Sequence, residues 1–160
     1  MTRAVLSIGS NIGDRLAHLQ AVVDGLRAHL VAVSPVYVTA PWGGVEQDDF
    51  YNAVLVVDDP KADCHAWLRR AQQLEQEQQR VREIHWGPRT LDVDIVDCAG
   101  ARLATRDLVL PHPRARERAF VLVPWHDLEP DAVLDGVPVA ELLAHLDTSD
   151  VRVLDGGVLS

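Results

Sequence analysis

Asp92-Val-Asp-Ile-Val96 constrains this chain more tightly than any other stretch of it. Acids alternate with aliphatics and then give way to an apolar pair, the pattern of a strand that enters a core with one polar face. Residues two apart on a strand share a face, their Cα atoms roughly 6.5–7 Å apart, so Asp92 and Asp94 stand side by side. Two hard oxygen groups so placed suit Mg²⁺, which takes one or two carboxylates and fills the rest of its shell with water and phosphate oxygens. Immediately upstream, Arg80, Arg82 and Arg89 offer the planar forks that suit phosphate. Trp86-Gly87-Pro88 lets the chain turn back between them. Taken singly, an Asp-x-Asp is commonly a solvated strand edge, and arginines at a helix end commonly complement its dipole. Gathered into residues 80–94 of an acidic chain, they read as a polyphosphate site with a metal.

The acidity sharpens that reading. Lys and Arg number 15 against 24 Asp and Glu, a net charge of −9, which argues against a nucleic-acid surface or an anionic membrane face as partner. Two islands run the other way. Residues 80–89 hold three arginines against Glu83, and residues 114–118 hold Arg114, Arg116 and Arg118 against Glu117. Local cations on an acidic protein point to a small anionic ligand. At 160 residues and 48% hydrophobic, the chain is expected to form one domain, 1–160, with a proper core. Cys64 and Cys98 are too few and too far apart for a metal cluster or a disulfide framework, and are expected as buried free thiols. Met1-Thr-Arg leads straight into an apolar strand, with neither a leader pattern nor a membrane-length apolar span. A cytoplasmic protein is therefore expected, monomeric by default.

Taken in order, Arg3–Ile8 reads as a short buried strand, and Gly9-Ser-Asn-Ile-Gly-Asp14 as a turn ending in a helix cap. No Gly-Lys-Ser/Thr follows, which rules out a P-loop. Leu16, Leu19, Val23, Leu26 and Leu30 fall on one helical face. Val31–Val38 reads as a second strand, with Pro35 pointing to an edge position or an irregularity, and Phe50–Val57 as a third, paired with it as a hairpin. Trp67, Leu68, Ala71, Leu74 and Val81 stripe a second helix from Asp63 to about Arg82, and Asp92–Cys98 is the fourth strand. This β-α-β-β-α-β order predicts an α+β protein with a ferredoxin-like core, two helices on one face of an antiparallel sheet. A C-terminal extension follows: a short strand at Leu108–Leu110, a helix over Arg114–Val123 stopped by Pro124, a helix over Pro138–His145, and a last strand at Val151–Leu154.

Gly9-Ser-Asn, Thr39-Ala-Pro-Trp-Gly43, Phe50-Tyr-Asn52, Arg80-Val-Arg82, Trp86-Gly-Pro-Arg-Thr-Leu-Asp-Val-Asp94 and Leu110-Pro-His-Pro-Arg-Ala-Arg-Glu-Arg-Ala-Phe120 together carry a likeness. The chain resembles the 6-hydroxymethyl-7,8-dihydropterin pyrophosphokinases from its first strand to about Pro130, most specifically over the Trp86–Asp94 run. The resemblance implies transfer of the terminal diphosphate of ATP to the hydroxymethyl group of a reduced pterin, releasing AMP. It implies two Mg²⁺ ions held by Asp92 and Asp94, with ATP as co-substrate, and it gives Arg80 and Arg89 catalytic roles beside them. Arg80, Arg82, Trp86, Arg89, His112 and Arg118 fall at ATP-contacting positions, with Leu68, Glu75 and Ile95 near the nucleotide. Thr39, Pro41, Trp42, Phe50, Asn52, Trp86 and Phe120 fall in the pterin pocket. Physical chemistry agrees with that pocket: a flat heteroaromatic ring suits a slot between two aromatic faces, and an amide that both donates and accepts can read its edge.

Three departures stand out. Phe50 stands where the family often has tyrosine, Pro113 replaces another common tyrosine, and the loop between Arg82 and Trp86 is one residue short, with Glu83 among its cations. Two other classes fit the same residues without the resemblance: a nucleotide-sensing module that binds Mg·ATP without turnover, and a metal-dependent phosphohydrolase.

Overall fold

The computed structural model describes residues 2–40, 49–79 and 91–160. Six of the positions singled out above, Pro41, Trp42, Arg80, Arg82, Trp86 and Arg89, lie outside the described residues, as do Val81 and the shortened loop.

Four stretches of alternating or apolar sequence build the sheet. Strand β1 (Arg3–Ser10) lies at its centre, antiparallel to β4 (Phe50–Asp58) on one side and to β5 (Asp92–Cys98) on the other. The second predicted strand is broken in two, β2 (Leu30–Val33) and β3 (Tyr37–Thr39), both paired to β4. Pro35, between them, cannot donate to a ladder. Ser34 restores the pairing across the break: its N–H donates to Val54 O at 2.9 Å, and its Oγ accepts from Val54 N at 2.9 Å. Leu30 accordingly opens a strand instead of closing the first helix.

The helices follow from their caps and stripes. In α1 (Arg15–Leu26), the Asp14 side chain accepts from Ala17 N, satisfying one of the unpaired N–H groups of the first turn. Leu19, Val22, Val23 and Leu26 turn inward. Helix α2 (Cys64–Gln79) buries Trp67, Ala71 and Leu74 beside them, against Leu6, Ile8, Leu55, Val57, Val93 and Ile95 of the sheet. Gly25 has a packing reason: a Cβ there would sit 2.7 Å from Leu74 Cδ2. Both core helices share one face of the antiparallel sheet, and the fold is α+β.

The opposite face is covered by the C-terminal extension. After the short hairpin of β6 (Leu103–Ala104) and β7 (Val109–Leu110), helix α3 (Ala119–Leu128) lays Val121, Leu122 and Trp125 on Val5, Val54, Val56 and Val96. The expected stop at Pro124 does not occur; the helix runs through it, preceded by a single 3-10 turn at Ala115–Glu117. A proline inside a helix costs about 3 kcal/mol. Burying three large side chains at about 1.5–3 kcal/mol each offsets it. The small hairpin β8 (Val133–Leu134) and β9 (Val137–Pro138) leads into α4 (Val139–Leu143), which is shorter than its expected span. Finally, β10 (Arg152–Val153) adds a strand beside β3. It is tied by Leu154 N–H donating to Val36 O and Val36 N–H donating to Gly157 O, each 2.8 Å.

The two cysteines are not free thiols. Cys64 and Cys98 form a disulfide, with Cα atoms 5.9 Å apart. Strict alternation from Asp92 would put Cys98 on the face of the two acids. The register of β1 and β5 slips between Val5 and Leu6, leaving Val96 as an extra residue, and this bulge turns Cys98 toward the first turn of α2.

Candidate active site

Strand alternation places the site. Thr39, Phe50, Asn52, Ser7, Gly9, Asp92 and Asp94 all lie on the α3 face of the sheet, beyond the point where α3 covers it. Register aligns them in rows. Thr39 lies opposite Phe50, Asn52 opposite Gly9, and Gly9 opposite Asp92, while Ser7 lies opposite Asp94. With neighbouring strands about 4.8 Å apart, Asn52 and Asp92 are about 10 Å apart across the floor. These residues floor a cleft of about 1040 Å³, at the upper end of the roughly 300–1,000 Å³ usual for single-ligand sites.

Each floor residue has a local reason for its pose. Asn52 is buried and donates from Nδ2 to Thr39 Oγ1 at 3.0 Å. Its Oδ1 lies over Gly9, where an added Cβ would come within 2.9 Å of it, so only glycine lets the amide take this position. Asp92 and Asp94 are half-buried, flanked by the fully packed Leu91, Val93 and Ile95. Two carboxylates on one strand face, open to a cleft, fit a Mg²⁺ that keeps water and substrate oxygens in its shell. Among the described residues no group of three or more His, Cys, Asp or Glu side chains is placed to hold a metal.

One wall comes from the segment 114–120. Arg114, Glu117, Arg118 and Phe120 line the cleft. Arg118 reaches to 3.8 Å from Asp94 Oδ2, and its guanidinium lies 5.5 Å from the centroid of the Phe120 ring. Phe50 and Phe120 thus face the same space from floor and wall. His112 is held behind them: its N–H donates to Val96 O at 2.9 Å, and its Nδ1 accepts from Arg114 N at 3.2 Å. Burial pushes the His112 imidazole below its usual range; the Asp94 carboxylate opposes that shift, while Arg118 and Arg114 add to it.

The structure therefore brings together Thr39, Phe50, Asn52, Asp92, Asp94, Arg118 and Phe120, with His112 near enough to feel the charge of Asp94. It does not bring Leu68, Glu75 or Ile95 to the cleft. Ile95 points under α2, where Leu68 packs at the edge of the same core, and Glu75 Oε2 accepts from Val93 N at 3.2 Å. Sequence reasoning placed Arg114 in a cationic island without giving it a role in the site, left Ser7 and Gly9 out of the site, and missed the far wall, where Leu146, Asp147, Ser149, Asp150 and Val151 line the cleft. Ser7 and Gly9 carried a signal, since they alternate with Val5 on β1. The far wall carried none, because contacts distant in sequence bring it there, the pairing of β10 with β3 and the packing of Leu146 on the α3-side core among them.

Residues 5–130 match the 7,8-dihydro-6-hydroxymethylpterin-pyrophosphokinase family. The chain is 57% identical over 144 residues to a 2-amino-4-hydroxy-6-hydroxymethyldihydropteridine pyrophosphokinase of Mycobacterium leprae, covering 84% of this chain and 75% of the relative. It is 51% identical over 163 residues to the enzyme of the same name from Mycobacterium tuberculosis H37Rv, covering 94% and 87%. With that of Methylorubrum extorquens it shares 45% over 156 residues, covering 95% and 98%. The fold matches the crystal structure of Plasmodium falciparum HPPK-DHPS wild type with SDX-DHP at a TM-score of 0.70 and 14% identity. That match covers 89% of this chain and 44% of the solved one, so this chain spans less than half of that fusion.

Proposed function

Since the chain belongs to the 7,8-dihydro-6-hydroxymethylpterin-pyrophosphokinase family and is therefore an enzyme, a diphosphotransferase of folate biosynthesis, we propose that it moves the terminal diphosphate of ATP onto the hydroxymethyl group of 6-hydroxymethyl-7,8-dihydropterin. The products are AMP and the pterin diphosphate. The transferred unit is a diphosphate, so the new bond is to the β-phosphorus and the bond broken is to the oxygen bridging it to the α-phosphorus. The protein works as a cytoplasmic single-domain monomer on a ferredoxin-like core.

The observation that carries this reading is the polarity of the cleft floor. A hydrogen-bonded Thr39–Asn52 pair stands at one end and Asp92 with Asp94 at the other, about 10 Å away. The pterin lies between Phe50 and Phe120 with its edge on Asn52, and its hydroxymethyl group points along the floor toward the acids. Asp92 and Asp94 would hold two Mg²⁺ ions, and the metal would supply neutralisation of polyphosphate charge. Arg118 and His112 add donors on the wall side, and Arg80, Arg82, Arg89 and Trp86 belong to the same nucleotide clamp. Pro41 and Trp42 complete the pterin side. Phosphoryl-type transfer depends on alignment and charge neutralisation more than on proton abstraction. A site rich in cations and metal ligands suits such a reaction.

The test is a product analysis. Incubated with ATP, Mg²⁺ and the reduced pterin alcohol, the protein is expected to release AMP, and only when the pterin is present. ADP or free phosphate instead would identify a phosphohydrolase, and unchanged ATP a binding module; either outcome overturns the proposal.

A further inference from the structure

Three arginines leave the segment before α3, and the structure uses two of them. Arg116 donates to Asp135 Oδ2 at 3.1 Å, bracing the β8–β9 hairpin. Arg118 leans between Asp94 and the Phe120 ring. Arg114 lines the cleft, and no ion pair holds it among the described residues, although the chain carries 24 acids against 15 cations. Its backbone is fixed, because its own N–H is donated to His112 Nδ1. The guanidinium therefore projects from a defined point beside His112 and Arg118, with its forks unspent.

We propose that Arg114 is a further phosphate-binding residue of this enzyme, gripping oxygens of the nucleotide's polyphosphate from the cleft wall. The inference rests on the pyrophosphokinase reading and adds to it a residue which that reading does not assign. A guanidinium fits phosphate bidentately, whereas an ammonium brings the charge without the fork. Loss of one exposed charge-assisted pair corresponds to about a tenfold weaker grip.

The experiment measures wild type, Arg114→Ala, Arg114→Lys and Arg116→Ala. First, wild-type turnover of ATP and pterin to AMP is established, which settles the underlying reading by itself. Then a non-hydrolysable Mg·ATP analogue and Mg·tripolyphosphate are titrated calorimetrically into each protein. Arg114→Ala is expected to weaken both ligands about tenfold and to raise the KM for ATP to match, with the KM for the pterin unchanged. Arg114→Lys should recover part of the loss, and Arg116→Ala should bind both ligands as wild type does. If the alanine variant binds both ligands normally, or loses affinity for the nucleotide but not for tripolyphosphate, Arg114 is not on the phosphates and the inference fails, even with an active wild type.

Discussion

The two faces of the sheet are made by the same strands and the same alternation, yet only one is closed. On the α1–α2 side, Leu6, Ile8, Leu55, Val57, Val93 and Ile95 continue the apolar pattern to the ends of their strands and are sealed beneath two helices. On the α3 side, Val5, Val54, Val56 and Val96 do the same until the pattern changes. The next residues outward are Ser7, Gly9, Asn52, Asp92 and Asp94, and there the covering helix ends and the cleft begins. The candidate site lies where one face runs out of hydrophobic residues while its reverse does not. Rigidity is supplied from behind, leaving the open face free to carry polar groups that contribute little to folding.

That contrast can be broken from either side. The largest effect is expected on the open face. Asp94→Asn should lower turnover more than about 100-fold, beyond the cost typical of disturbing a metal's outer shell. The thermal midpoint should hardly change, since the side chain is half-exposed. Steady-state AMP formation and a melting curve on the same sample check both halves.

On the closed face the outcome should invert. Leu55 is fully buried, and Leu55→Ala should cost about 2–5 kcal/mol in a urea titration, with KM values unchanged for the fraction that stays folded. The disulfide belongs to this face as well. Cys64 and Cys98 are 34 residues apart in sequence, and releasing a loop of that size should cost about 2–4 kcal/mol. Melting with and without dithiothreitol, beside kinetics under both conditions, should show a lower midpoint and unaltered substrate affinities.

The smallest expected effect lies at the far end of the closed face, where the buried Asp59 accepts from Arg70 at 2.8 Å and from Lys61 N, with His29 at 3.5 Å. The hydrogen bond from Arg70, chiefly, holds its carboxyl below the usual range. With the folded value depressed, the unfolded chain binds more protons in acid. The stability Asp59 contributes is therefore complete above its ordinary value near 4 and is lost as pH falls through the folded value. Asp59→Asn should flatten the acid limb of the stability curve and leave neutral-pH turnover alone.

Much of this division could be read from residues before any coordinates. Asp92 and Asp94 are paired by strand period alone, and Phe50 and Asn52 by the same rule on β4. Both core helices were legible from their stripes. What could not be read depended on events that local pattern does not encode. A one-residue bulge at Val96 sends Cys98 to the helix side and makes a disulfide from two cysteines that spacing kept apart. Pro124 is tolerated because its helix is buried on a neighbour, so tertiary packing overrides a local breaker. Leu146–Val151 becomes a wall of the cleft through long-range contacts, among them the pairing of β10 with β3 more than 110 residues away in sequence and the packing of Leu146 on the α3-side core. Ile95, next to an acid of the cleft, faces away from it for the same reason that Asp94 faces in.

On the open face, Asp92 and Asp94 would grip a divalent metal beneath a polyphosphate. Electron paramagnetic resonance of Mn²⁺, titrated with a non-hydrolysable ATP analogue into wild type and into Asp92→Asn/Asp94→Asn, tests it most directly. Wild type should remove Mn²⁺ from the free signal in the presence of the nucleotide, and the double variant, equally folded, should leave most of it free. Equal Mn²⁺ uptake by the two proteins would contradict it.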